Sequence, residues 1–131
     1  MIKVLKDWLE IGEVNKFLSR KGLPKHLSIE KDWDLYQLFG IVEAMPREIK
    51  IVDFGCAGLM ALKFLYAMGI KNLYGLDFQI TWIDRLSQLS RMWRERSLRI
   101  PFHLNKGDLT KTKFPNEMFD LAICISVIEH G

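Results

Sequence analysis

The sequence has little that marks a specialised class of protein. It contains only two cysteines, Cys56 and Cys124, far apart in the chain. Their separation matches no metal-binding pattern. Both fall in expected strand-end or core positions, so buried thiols and a reducing, cytoplasmic location are expected. Long apolar runs are also missing. The longest, residues 57–70, is interrupted by Lys63 and is too short to cross a bilayer. The N-terminus carries acids within its first ten residues and no apolar segment, so no secretory signal is expected. There is no internal repeat and no low-complexity tract. Neither sign of charge dominates: 19 Lys and Arg face 16 Asp and Glu, for a net +3. That balance permits an acidic partner without calling for nucleic acid. No serine–histidine–acid arrangement is visible. No glycine turn ends in Gly-Lys-Ser/Thr, as a phosphate loop would. His26 and His103 show no pairing pattern.

What remains is ordinary globular composition, 49% apolar and 27% charged, in a chain of one-domain length. An N-terminal helical segment (1–46) and a core (47–131) are expected. Residues 4–20 read as a helix, with a possible break at Gly12 and a stripe of Val14, Phe17 and Leu18. Gly22 and Pro24 then stop it. A second helix should start after Ser28 and reach about Ala44. Its Leu35, Leu38, Phe39 and Val42 recur at helical spacing. Trp8, Trp33 and Tyr36 are aromatics that could face a cationic ligand, although aromatics at helical spacing usually belong to a core.

The core is organised around residues 49–59, IKIVDFGCAGL. A short apolar strand runs into a small-residue turn and then an apolar helix over 59–68, ending at Gly69. This is the nucleotide-edge geometry of open α/β sheets. Gly55 and Gly58 allow a ligand to approach the backbone. Asp53 places a carboxylate in the crevice above the sheet. The plain alternative is a strand-to-helix turn with no ligand. The second strand, residues 72–77, also ends in an acid. Asp77 stands where such sheets hold ribose hydroxyls; otherwise it caps the next helix, a task Thr81 could equally perform.

The helix expected over 80–96 carries Trp82, Leu86, Leu89 and Trp93 on one face. Arg85, Arg91, Arg94, Arg96 and Arg99 decorate it and its exit. They read as a solvated face or as a site for an acidic substrate or nucleic acid, and the lack of interleaved exposed aromatics weighs against nucleic acid. A third strand is expected over 101–104, followed by Gly107 and Asp108. Gly-Asp before Thr110 is good Asx-turn chemistry. Residues 119–126, FDLAICIS, read as a strand buried on both faces.

Four blocks, IVDFGCAG, LYGLD, KGDL and FDLAICISVIEH, occur in the order seen in class I S-adenosylmethionine-dependent methyltransferases. Residues 49–130 resemble that family. The resemblance implies an α/β, Rossmann-like fold: a partial doubly wound parallel sheet of about four strands, order 3-2-1-4. Helices would lie on both faces, with an N-terminal helical segment. S-adenosyl-L-methionine is the implied cofactor. Around the first turn it would meet Asp53, Gly55, Cys56, Ala57 and Gly58. Further on it would meet Asp77, Phe78, Gly107, Asp108, Leu109 and Ser126. Asp108 would accept from the adenine amine, Leu109 would pack on the ring, and the first core helix would favour the methionine carboxylate. Glu129 and His130 are candidates for positioning the methyl acceptor or taking its proton; a helix start with both exposed is the plain alternative.

Two departures from the family pattern stand out. Its turn often reads Asp-x-Gly-x-Gly-x-Gly, whereas Ala57 and Leu59 stand at the second and third glycines here. Its sheet usually has seven strands, and four are visible. The chain thus reads as truncated after the fourth strand. The 119–126 edge would be open to a second copy or a partner chain. The methyl acceptor is not legible. A nicotinamide-dependent oxidoreductase fragment and a non-catalytic assembly module are the competing readings. Against the former, GCAGLM does not complete Gly-x-Gly-x-x-Gly.

Overall fold

The computed structural model describes residues 7–25, 29–56, 59–78, 102–108 and 110–125. The chain divides into two compact units, Met1–Met45 and Pro46–Gly131.

The first unit holds α1 (Trp8–Arg20) and α2 (Ile29–Val42). Asp7 starts α1 by accepting the Glu10 N–H at 3.1 Å, a cap worth about 1 kcal/mol. The helix runs through Gly12 without the break the sequence suggests. A helical glycine costs only about 1 kcal/mol, and the buried stripe of Ile11, Val14 and Leu18 spans it. Gly22, at φ 67°, ends the helix. Its N–H donates to the Ser19 carbonyl and the Leu23 N–H to the Leu18 carbonyl, both at 3.1 Å. This pair of bonds is the Schellman closure that glycine favours.

In α2, Leu35, Leu38 and Val42 are buried, and the helix stops two residues short of Ala44. Phe17 meets Tyr36 and Phe39 edge-on at 5.2 and 5.1 Å. The fully buried Asp32 accepts from the Asn15 amide at 3.0 Å. The Trp33 indole makes a long bond to Glu10, 3.5 Å. Trp33 and Tyr36 thus serve contacts within this unit, while Trp8 is 68% exposed.

The second unit is a parallel sheet of β1 (Lys50–Phe54), β2 (Asn72–Asp77), β3 (Phe102–Lys106) and β4 (Leu121–Ile123), in the order β3-β2-β1-β4. Helix α3 (Met60–Ala67) links β1 to β2. It ends as α1 does: Gly69 at φ 97° donates to Tyr66, and the buried Ile70 donates to Leu65. Alternation puts Leu73 and Gly75 on one face of β2 and Tyr74 on the other. On the first face α3 sets Leu62 against Gly75 and the Tyr66 ring edge-on to Phe102 at 6.0 Å. On the second, Tyr74 stacks on His103 at 4.6 Å and meets Phe119 at 5.1 Å. Phe114 backs Phe119 at 5.0 Å.

Three strand expectations need correction. β3 starts at Phe102 and extends to Lys106, because Asn105 and Lys106 pair with Leu76 and Asp77. β4 covers only Leu121–Ile123. It is not buried on both faces: Ala122 is exposed, and Leu121 and Ile123 are half-buried. Cys124 is likewise exposed, whereas Cys56 is buried. A strand is buried on both faces only where other elements cover both, which an apolar run does not by itself supply. The helix expected over 80–96 lies outside the described residues. Among the described residues no helix is long and apolar enough to cross a membrane.

Candidate functional site

Parallel strands bring their C-terminal ends to one edge of the sheet. Three carboxylates stand there in order: Asp53 near the end of β1, Asp77 at the end of β2, and Asp108 just beyond β3. Asp53 pairs in register with Gly75, and Asp77 with Lys106. Since Gly75 and Asp77 share a face, Asp53 and Asp77 share it too.

The turns after β1 and β3 both hook onto the tip of β2. The Gly55 N–H donates to the Leu76 carbonyl at 2.8 Å, and the Gly107 N–H donates to the Asp77 carbonyl at 3.1 Å. Gly55 sits at φ 85°, where a side chain would be strained. Gly107 packs close to β2: an added Cβ would come within 3.1 Å of Leu76. Cys56 follows Gly55 and is 2% exposed. Its carbonyl accepts the Leu59 N–H at 2.8 Å, closing the turn before α3. Leu59 takes φ 60° and caps α3 without any side-chain bond to the helix start. The left-handed conformation costs a leucine roughly 1–2 kcal/mol. Its side chain is 1% exposed, and burial of that size returns about 1.5–3 kcal/mol.

The carboxylates differ in environment. Asp53 is 4% exposed, and its Oδ1 has no hydrogen-bond partner among the described residues. Burial pushes its carboxyl up from the ordinary 3.8 to about 7, and the neighbouring Asp77 charge pushes the same way. Asp77 is half-buried, and Phe78 beside it is a 59% exposed ring. Asp108 is satisfied locally. Its Oδ1 accepts the Thr110 hydroxyl at 2.7 Å and the Thr110 N–H at 2.8 Å, and these bonds lower its carboxyl below the ordinary value.

The family model for a methyltransferase domain matches residues 52–131, more than half of the chain. The chain belongs to that family. No curated protein and no solved structure matches it. The methyltransferase domain so defined begins inside β1 and takes in all three carboxylates.

Of the site residues the sequence suggests, the sheet brings Asp53, Gly55, Cys56, Asp77, Phe78, Gly107 and Asp108 to one edge. Ala57, Gly58, Leu109, Ser126, Glu129 and His130 lie outside the described residues. Thr110 fastens Asp108, the Asx turn that Gly-Asp before Thr110 suggests. One contributor within the methyltransferase domain escapes sequence reasoning. Gly75 leaves room for the first turn; its signal was a glycine in mid-strand, which marks close backbone approach.

Proposed function

We propose that this methyltransferase domain holds S-adenosyl-L-methionine across the tips of β1, β2 and β3. The observation that carries the reading is the Asp53 carboxylate, buried with one oxygen unpaired among the described residues. A buried carboxylate that lacks a partner is costly, and a cationic ligand group removes the cost. The ammonium of the cofactor's methionine part has the matching charge. Its carboxylate suits the start of α3, which no side chain caps. Asp77 accepts from the ribose hydroxyls, with Phe78 as apolar surface beside the base. Asp108 turns its free Oδ2 to the adenine amine, while Thr110 holds Oδ1. The family resemblance adds Leu109 and Ser126 to the cofactor's contacts and makes Glu129 and His130 the candidates for the acceptor; all four lie outside the described residues.

The cofactor supplies an activated methyl group. The protein's own work is then binding and alignment. Asp53 and Asp108 fix the two ends of the adenosyl-amino-acid chain, with Asp77 at the ribose between them. The turn at Gly55 keeps side chains off the ligand's path. A base is needed only where the acceptor must lose a proton, and Glu129 or His130 has that task. The domain acts as a methyltransferase or as the cofactor-binding half of one. Thiols at Cys56 and Cys124 suit a reducing cytoplasm. The outer side of β4 is where a second copy would add; light scattering at high micromolar concentration tests this, and a clean monomer removes it.

Isothermal titration with S-adenosylmethionine, S-adenosylhomocysteine and NADH separates the readings. Binding of the first two alone supports the proposal. Binding of NADH alone supports an oxidoreductase, and silence with all three leaves an assembly module.

A further inference from the structure

Gly75 stands at the middle of the site's framework. It is buried, pairs in register with Asp53 and precedes Asp77 by two residues. A Cβ built on Gly75 would lie 2.6 Å from Cys56 Sγ. It would also lie 3.0 Å from Leu104 Cδ2 and 3.0 Å from Leu62 Cδ1. Four parts of the unit thus converge on one missing methyl: the first turn, β2, β3 and α3.

The three neighbours are not equivalent. The leucine methyls are the far ends of flexible side chains and can turn aside by a few tenths of an ångström. Cys56 has one short side chain on a tightly held backbone. The Gly55 N–H, just before it, donates to the Leu76 carbonyl, and the Cys56 carbonyl accepts the Leu59 N–H. With the residue 2% exposed, its sulfur has no solvent to swing into. An added Cβ therefore pushes on the turn itself.

We infer that Gly75 is a positioning residue: its bare backbone seats the Cys56 side chain and thereby fixes the glycine turn against β2. The pair sets the offset between Asp53 and the turn on one side and Asp77 on the other. Cys56 acts here as a wedge of defined size. The consequence for ligand binding rests on the cofactor reading above; the packing of the pair does not.

A double-mutant cycle tests it. Gly75→Ala should weaken S-adenosylmethionine binding by about tenfold or more, the scale of an overpacked contact. Cys56→Ala alone is the reference for the turn without its sulfur, and its loss should be smaller than that of Gly75→Ala. The double variant Gly75→Ala/Cys56→Ala should recover to near the Cys56→Ala value, because the sulfur that meets the new methyl is gone. A double variant as weak as Gly75→Ala, or a Gly75→Ala protein that binds like the parent, overturns the inference. If Gly75→Ala does not fold, recovery of folded protein by adding Cys56→Ala supports the pairing, and failure of the double variant overturns it.

A second readout needs no cofactor. In a Cys124→Ser background Cys56 is the only thiol. An aromatic disulfide reagent should label it slowly in that parent. In Gly75→Ala it should react about tenfold faster. Faster labelling with no cofactor binding in any variant, the parent included, sinks the cofactor proposal and leaves the pairing standing. Equal labelling rates sink the pairing.

Discussion

Asp53 and Asp108 are the same side chain at two tips of one sheet, and the fold treats them oppositely. Asp53 is enclosed, and its Oδ1 has no partner among the described residues. Asp108 lies at the surface with its Oδ1 bonded twice by Thr110. Burial and a like charge raise the first carboxyl to about 7, while hydrogen bonds lower the second. The difference separates two kinds of site residue. Asp108 is complete before a ligand arrives, so a ligand can gain only its remaining oxygen. Asp53 has an oxygen with no partner among the described residues, so a cation placed there would gain the relief of a costly burial as well as a bond.

The largest expected effect follows from Asp53. Its carboxyl is raised in the folded protein, from 3.8 to about 7. The stability tied to its neutral form is fully present below the unfolded value. It is lost as pH rises through the folded one. Folding stability should therefore fall between about pH 4 and pH 7, by on the order of 4 kcal/mol from this group. Asp53→Asn removes the titration and should flatten that slope relative to the parent, as urea midpoints at each pH would reveal. The same change should cost the cofactor site its strongest anchor for a cation. Parental binding should also tighten as pH rises towards 7, and the variant's should not. Identical pH slopes for the two proteins would place Asp53 among ordinary solvated acids and erase the contrast.

Asp77 sharpens the comparison from between. Asp77→Ala should weaken S-adenosylmethionine binding by about tenfold or more, the scale of one charge-assisted bond or somewhat more. It should also move Asp53. With the neighbouring charge gone, the Asp53 carboxyl should drop below about 7, yet stay well above 3.8, because burial is the larger cause. A carbon-detected titration of the Asp53 carboxyl reads this directly. A return to the ordinary value would make Asp77, and not burial, the origin of the perturbation.

Much of this is legible in the sequence, where one residue type forces one geometry. Gly22 and Gly69 announced helix ends, and both sit at positive φ in the same closure. The strand, turn and helix at 49–59 followed from apolar spacing and Gly55. What escaped depends on neighbours remote in sequence. Asn105 and Lys106 look like turn residues alone and become strand because β2 extends beside them. Residues 119–126 look like a buried strand, and the pattern cannot say that Cys124 faces solvent at an outer edge. Leu59 looks like an ordinary helix residue and takes the left-handed turn that a family glycine would take, compensated by its burial. The Asp53 oxygen has no partner among the described residues, and no local motif encodes such an absence.

The smallest effect tests the satisfied member of the pair. Thr110→Val keeps the backbone N–H bond to Asp108 Oδ1 and deletes the hydroxyl bond, the larger cause of the lowered carboxyl. The Asp108 carboxyl should rise towards its ordinary value. A lowered acid stabilises the fold above its unfolded value and loses that contribution as pH falls through the folded one. Thr110→Val should therefore be slightly less stable than the parent at neutral pH and equal to it in strong acid. Cofactor affinity should fall by only about threefold, because Oδ2, the oxygen that the proposed function assigns to the adenine amine, keeps its place through the remaining backbone bond. Asp108→Ala should exceed that loss and still fall short of Asp77→Ala. A loss at Asp108 that matches the loss at Asp53 would mean that a carboxylate already bonded at home can anchor a ligand as firmly as one that is not.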